Sequence, residues 1–140
     1  MDKSSDRCIF CRIIDGTAPS SEVHRDDLCV AFLDLSPVNT GHTLVCPLRH
    51  VESFTALEPR ELQALMTVAQ RVARTQKHML SDCSAVNILL SDGEDAGQEV
   101  PHAHFHIIPR RKDDGFKWNR TAKDVSRDEL DAIAMQLQAE

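Results

Sequence analysis

The sequence predicts an α+β fold: an antiparallel β-sheet carrying one long helix and a short C-terminal helix. Three observations point there. Short apolar runs at hairpin-length spacing occupy the first third of the chain, a helical period follows over residues 59–80, and two more strand-like runs precede a capped C-terminal helix.

In chain order, Arg12-Ile13-Ile14-Asp15 reads as one helical turn closed by Gly16, with Pro19 as a stop signal beyond it. Leu28 to Leu33 and Thr43 to Cys46 are apolar runs bounded by Ser36-Pro37 and Asn39-Thr40-Gly41, and both predict buried strands. Between Pro59 and Leu80, Leu62, Leu65, Met66, Ala69, Val72 and Ala73 fall at i, i+3, i+4, i+7 spacing, so one helix face meets a core. Pro59 suits the first turn of that helix. Ala85 to Leu90 predicts a strand, Ser91 to Glu99 an acidic, solvated loop, and His102 to Pro109 the next strand. Ser126-Arg127-Asp128-Glu129 has the capping-box pattern, and Leu130, Ile133, Ala134 and Leu137 continue it as an amphipathic helix.

At 140 residues, 41% hydrophobic and 27% charged, the chain can bury a core of its own, and one domain over residues 1–140 is expected. A net charge of -6 without a basic block argues against a nucleic-acid partner. No stretch approaches the roughly 20 apolar residues that span a bilayer. Met1 to Arg7 has no apolar signal-peptide centre, so a cytoplasmic protein without a membrane partner is expected. The odd count of five cysteines argues against a disulfide framework: Cys29, Cys46 and Cys83 read as buried thiols, and Cys8-Ile9-Phe10-Cys11 as a metal half-site or redox dithiol.

The chemistry concentrates in His102-Ala103-His104-Phe105-His106. Alternate residues of a strand share a face, so the three imidazoles project together, roughly 7 Å apart, onto an open surface while Ala103, Phe105 and Ile107 face the core. Imidazole serves either as a metal ligand or as a nucleophile and acid-base group, so a zinc hydrolase with metal on the triad histidines stays open.

With Ile107 and Ile108 appended, this run resembles the His-φ-His-φ-His-φ-φ pattern (φ apolar) of the histidine triad (HIT) nucleotide-binding family at every position. The resemblance extends over about the first 110 residues, through Cys8 to Ile14, Ala31 to Pro37, Gly41 to Pro47 and Gly97-Gln98. It implies a hydrolase or transferase that attacks the α-phosphate of a purine nucleoside phosphoramidate or dinucleoside polyphosphate. His104 would be the nucleophile, a nucleotidyl-histidine the intermediate, and a nucleoside monophosphate the product. An imidazole that attacks through one nitrogen must carry its proton on the other, held by an acceptor such as a backbone carbonyl.

The same resemblance implies that His42 and His106 donate to the non-bridging phosphate oxygens and that Gln98 offers its amide to the phosphate or bridging oxygen. Asp34 would accept from the ribose hydroxyls, and Ile9, Phe10, Ile13, Phe32, Leu33 and Leu35 would sandwich the purine. Glu99 stands where well-known members carry a serine or threonine proposed to protonate the leaving group. Ser91 stands where an asparagine or glutamine is familiar, and Ser91 to Gln98 resembles the fragile-histidine-triad (dinucleoside polyphosphate) branch. Cys8, Cys11, His50 and His102 match a structural zinc site, one Zn2+ per chain, and a homodimer is implied. The alternative reading is a non-catalytic purine-nucleotide-binding signalling module. Residues 111–125, with Trp118, read as a loop or tail near the substrate or the dimer partner.

Overall fold

The structure, a computed structural model, describes residues 7–138; the first six residues of the polar N-terminal stretch lie outside them. Helix α1 spans Ile9–Ile14 and starts earlier than the predicted turn, because Cys8 caps it and its Sγ accepts from the Cys11 N–H. Gly16, at φ +86°, ends it by adopting a conformation that a Cβ would strain, and its N–H bonds the Ile13 carbonyl.

Five strands follow: β1 (Glu22–Arg25), β2 (Cys29–Leu33), β3 (Thr43–Pro47), β4 (Ala85–Leu90) and β5 (Phe105–Arg110). They form one antiparallel sheet in the order β1-β2-β3-β5-β4. Strand β1 was not anticipated: Glu-Val-His-Arg is polar and lies at an edge, so it carries no apolar alternation. Helix α2 covers Pro59–Met79, with Pro59 in its first turn and a capping box between Glu58 and Glu61. Helix α3 covers Arg127–Gln138, opened by the predicted box: Ser126 and Glu129 bond each other's backbone N–H.

The central strands β2, β3 and β5 are buried on both faces of the sheet, which explains why β2 and β3 are continuous apolar runs rather than alternating ones. Cys29, Ala31, Val45, Phe105 and Ile107 meet the α2 stripe of Leu65, Val68, Ala69 and Val72. On the opposite face Val30, Phe32, Leu44 and Cys46 meet Cys8, Phe10 and Ile13 from the N-terminal segment. Burial pushes the Cys29 thiol up to about 12, and Cys46 rises for the same reason. Cys83 departs from the expectation, being only partly buried. Met66 is 41% exposed, since Val68 takes its place on the stripe. No α3 residue is buried, so its apolar side faces outward.

Two corrections bear on the histidines. The last strand starts at Phe105, because the preceding backbone turns to Val100 and Val51: the His102 and Ala103 N–H groups bond those carbonyls instead of a ladder. The histidines do not lie on an open surface either: His102 is 0% and His104 6% exposed, because α1 lays Phe10 across them. Segment 111–125 folds its start against the body through Asp114, which accepts from Arg110 and Asn39. Trp118 packs edge-on against Phe116. No described helix is long and apolar enough to cross a membrane.

Candidate functional site

A cleft of about 510 Å³, within the usual range for small-molecule sites, runs between α1, the end of β2 and the segment entering β5. Ile9, Phe10 and Ile13 come from α1; Phe32 and Leu33 from the end of β2, with Asp34 and Leu35 just after it; Leu44 from β3, with His42 just before it; and Ser91, Glu99, His104 and His106 from the far wall. Burial divides the apolar members. Phe10 and Phe32 are core residues in edge-to-face contact at 5.3 Å, whereas Ile9, Leu33 and Leu35 are exposed, Leu35 to 95%. Exposed aliphatic groups grouped on a cleft wall mark a place where an apolar ring can be covered.

The polar floor is ordered by backbone groups. His104 Nδ1 donates to the carbonyl of His102 at 2.7 Å, so in the neutral ring Nε2 carries the lone pair. Burial lowers its pKa against the raising influence of that bond, and of Asp34 and Glu99, which keeps the ring neutral and nucleophilic. His42 Nδ1 accepts from the Val38 N–H at 3.1 Å, so its proton sits on Nε2, 2.9 Å from His106 Nδ1. His106 therefore carries its own proton on Nε2, the donor left for an oxygen in the cleft. Burial, then the neighbouring His104 and His42, bring the His106 pKa down to about 4; burial lowers His42 as well. His42 and His106 thus stand in series rather than side by side.

Asp34 fills two places. Its Oδ1 accepts from the Ser36 N–H at 2.8 Å, the strand-end turn, and its Oδ2 lies 3.5 Å from His42 Nε2. Gln98 is the one predicted polar residue that does not line this cleft. Its Oε1 accepts from the Gly93 N–H, and its Nε2 donates to the carbonyls of Glu52 and Val100, so the amide braces the 93–98 loop. Gln98 instead borders an adjacent open depression with Glu52, Asp92 and Glu94, which meets the cleft at Gly97 and Glu99. Residues that sequence reasoning missed include Leu89 and Val100 on the wall. Their apolar character fits any core, and nothing in the sequence separates the two uses.

Behind the cleft, Cys8, Cys11, His50 and His102 bring four ligand atoms within 4.8 Å of one another. His102 Nδ1 lies 3.5 Å from Cys8 Sγ and 3.6 Å from Cys11 Sγ, and His50 Nδ1 lies 3.2 Å from Cys11 Sγ. Zinc bonds of about 2.3 Å to sulfur and 2.0 Å to nitrogen separate tetrahedral ligands by roughly 3.5 Å, so these separations fit such an ion. The tautomer fits too. His102 Nε2 donates to the Pro47 carbonyl at 2.8 Å, leaving Nδ1 as a lone pair aimed at the thiols. Neither nitrogen of His102 is directed into the cleft that His104 and His106 line.

Comparison with known proteins places this arrangement. The HIT domain model matches residues 15–113, beyond Cys8 and Cys11. The chain superposes on a HIT family protein from Bacillus anthracis with a TM-score of 0.88 at 37% identity, over 95% of this chain and 96% of that one. It is also similar to a Zn-bound histidine triad family protein from Mycobacterium smegmatis, with a TM-score of 0.77 and 34% identity over 96% and 98% of the two chains. A histidine triad nucleotide-binding protein from Candida albicans gives a TM-score of 0.83 and 27% identity over 94% of each chain. The chain belongs to the HIT domain family.

Proposed function

From that membership we propose that the chain is a nucleotide hydrolase or transferase acting on the α-phosphate of a purine nucleoside phosphoramidate or dinucleoside polyphosphate. The observation that carries this reading is the 2.7 Å bond from His104 Nδ1 to the His102 carbonyl, which leaves Nε2 as an available lone pair in the cleft. Binding alone has no use for a nucleophile held in that way. The Nε2–P bond forms as the bond from phosphorus to the amine or polyphosphate breaks, giving a nucleotidyl-histidine. Water or another acceptor then attacks phosphorus, the N–P bond breaks, and the nucleoside monophosphate or its conjugate leaves.

His106 donates through Nε2–H to the non-bridging oxygens, where charge develops, while His42 holds the tautomer that makes this possible. Asp34 takes the ribose hydroxyls, and Ile9, Phe10, Ile13, Phe32, Leu33 and Leu35 hold the base. Ser91 and Glu99 flank the leaving group, and Gln98 supports their loop. An amine leaves only after protonation whereas a polyphosphate does not, so Glu99 is where the two substrate classes part.

Cys8, Cys11, His50 and His102 would hold one Zn2+, which when bound supplies a structural crosslink. The Zn-bound Mycobacterium smegmatis relative and the thiol-imidazole donor set support this. We place the protein in the cytoplasm, where such thiols stay reduced, as a homodimer. The outer edge of β4, unpaired among the described residues, with Ile88 45% exposed beside Met66, supports the dimer. Sedimentation equilibrium giving a monomer mass would remove that part alone.

Rapid quench and intact-mass measurement test the central claim. A nucleotide adduct lost in His104→Ala is expected. Absence of adduct and of turnover across nucleoside phosphoramidates and dinucleoside polyphosphates leaves only the non-catalytic nucleotide-binding module.

A further inference from the structure

The buried stripe of α2 ends in an amide. Gln76 lies four residues after Val72 on the face that meets the sheet and is 4% exposed. Its Nε2 donates to two main-chain carbonyls, those of Gly41 and Ile107, each at 2.9 Å. Gly41 immediately precedes His42, and Ile107 immediately follows His106. The ladder between β3 and β5 begins only at the Thr43–Ile107 pair, so the Gly41 carbonyl lies beyond the last register pair. One NH2 group therefore bridges the two strands where the paired imidazoles stand.

Its other atom sharpens the point. Gln76 Oε1 is buried without a hydrogen-bond partner among the described residues. An unpaired buried acceptor is destabilising, and a methionine of similar length would avoid it. The residue's contribution thus resides in its two N–H donors. One helical turn later Leu80 presses on the same turn: a Cβ on Gly41, itself at φ +98°, would stand 2.5 Å from Leu80 Cδ1. The end of α2 holds the Gly41 turn by an apolar contact and a hydrogen bond together, which fixes where the His42 ring starts.

We infer that Gln76 is a positioning residue that sets the spacing of His42 and His106 by clamping the carbonyls beside them. Its catalytic consequence rests on the function proposed above. The clamp keeps the His42 Nε2–H on His106 Nδ1, and through it the His106 tautomer that presents Nε2–H to substrate. Displacement of either backbone segment by a fraction of an ångström breaks the series, although neither histidine has changed.

The test uses Gln76→Met in the full chain, with histidine ring-nitrogen NMR beside steady-state kinetics. Wild type is expected to show His42 and His106 each protonated on Nε2, and the variant a mixture of tautomers. The expected kinetic change is a kcat roughly tenfold or more lower with KM held within about twofold, the pattern of lost alignment rather than lost binding. Unchanged ring resonances, or a KM increase at constant kcat, would overturn the inference. If Gln76→Met does not fold, exchange of the Gln76 side-chain amide protons in wild type decides: slow exchange of both supports the clamp, and rapid exchange of either rejects it. The NMR arm needs no turnover, so it still reports on the clamp if the proposed reaction fails.

Discussion

His102 and His104 lie two residues apart, and the structure holds their rings by opposite nitrogens. His102 ties Nε2 to the Pro47 carbonyl and aims Nδ1 at Cys8 and Cys11; His104 ties Nδ1 to the His102 carbonyl and frees Nε2 for the cleft. Both rings are buried, both lose basicity mainly through burial, and both touch Phe10. The difference is which nitrogen a backbone carbonyl has claimed. A ring held by Nε2 beside thiols is suited to metal, and one held by Nδ1 at a cleft is suited to phosphorus.

Removing the free Nε2 is the severest way to break this contrast. His104→Ala is expected to abolish the adduct and lower kcat/KM by about 10³-fold or more, with zinc content unchanged; wild-type-like turnover by quenched flow would refute its role as nucleophile. The complementary change is Cys8→Ser, for which metal analysis should find zinc falling from about one per chain toward none. Melting should then drop by several degrees through loss of the metal crosslink, since a serine at this position still caps α1. Equal zinc content in both proteins would reject the four-ligand site.

A milder probe is Asp34→Asn. It removes the charge 3.5 Å from His42 and, with Oδ1 kept on the Ser36 N–H, replaces the Oδ2 acceptor proposed for the ribose by an amide donor; KM should rise about tenfold with a smaller effect on kcat, measured by initial rates. pH probes the paired rings of His42 and His106 without mutation. His106 is brought down to about 4 and His42 is lowered, so both rings are neutral in the folded protein below the point where a free imidazole protonates. The unfolded chain therefore binds more protons between about pH 6.5 and pH 4, and these rings' contribution to stability is full above that window and declines as pH falls through it. The acid limb of kcat/KM should lie below pH 6.5; a limb centred there or higher would mean that the pair is not buried as described. The smallest effect is expected for Glu99→Ser: a few-fold change in phosphoramidate turnover beyond any change with a dinucleoside polyphosphate, and equal changes would remove Glu99 from leaving-group chemistry.

Much of this protein was legible in its sequence because local rules sufficed. The α2 period, the Ser126–Glu129 box and the Gly16 stop each depend on neighbours a few residues away. Strand β1 escaped because a polar edge strand carries no apolar signature, and the early start of α1 because a cysteine is an unusual cap. Gln76 left one trace, a polar residue at an apolar-stripe position, which by itself is as consistent with a helix end as with a clamp.

By itself the sequence determined the chemical inventory: three alternating imidazoles, a cysteine pair, His42 and His50, and the apolar residues able to wall a cleft. Only the tertiary structure decided how that inventory is divided. His102 meets a carbonyl 55 residues away, His42 and His106 meet across 64 residues in series, and Gln98 turns its amide to its own loop. An imidazole's role depends on which of two near-equivalent nitrogens is protonated, and that is set by carbonyls and N–H groups whose positions exist only after the sheet has closed and α1 has packed over it.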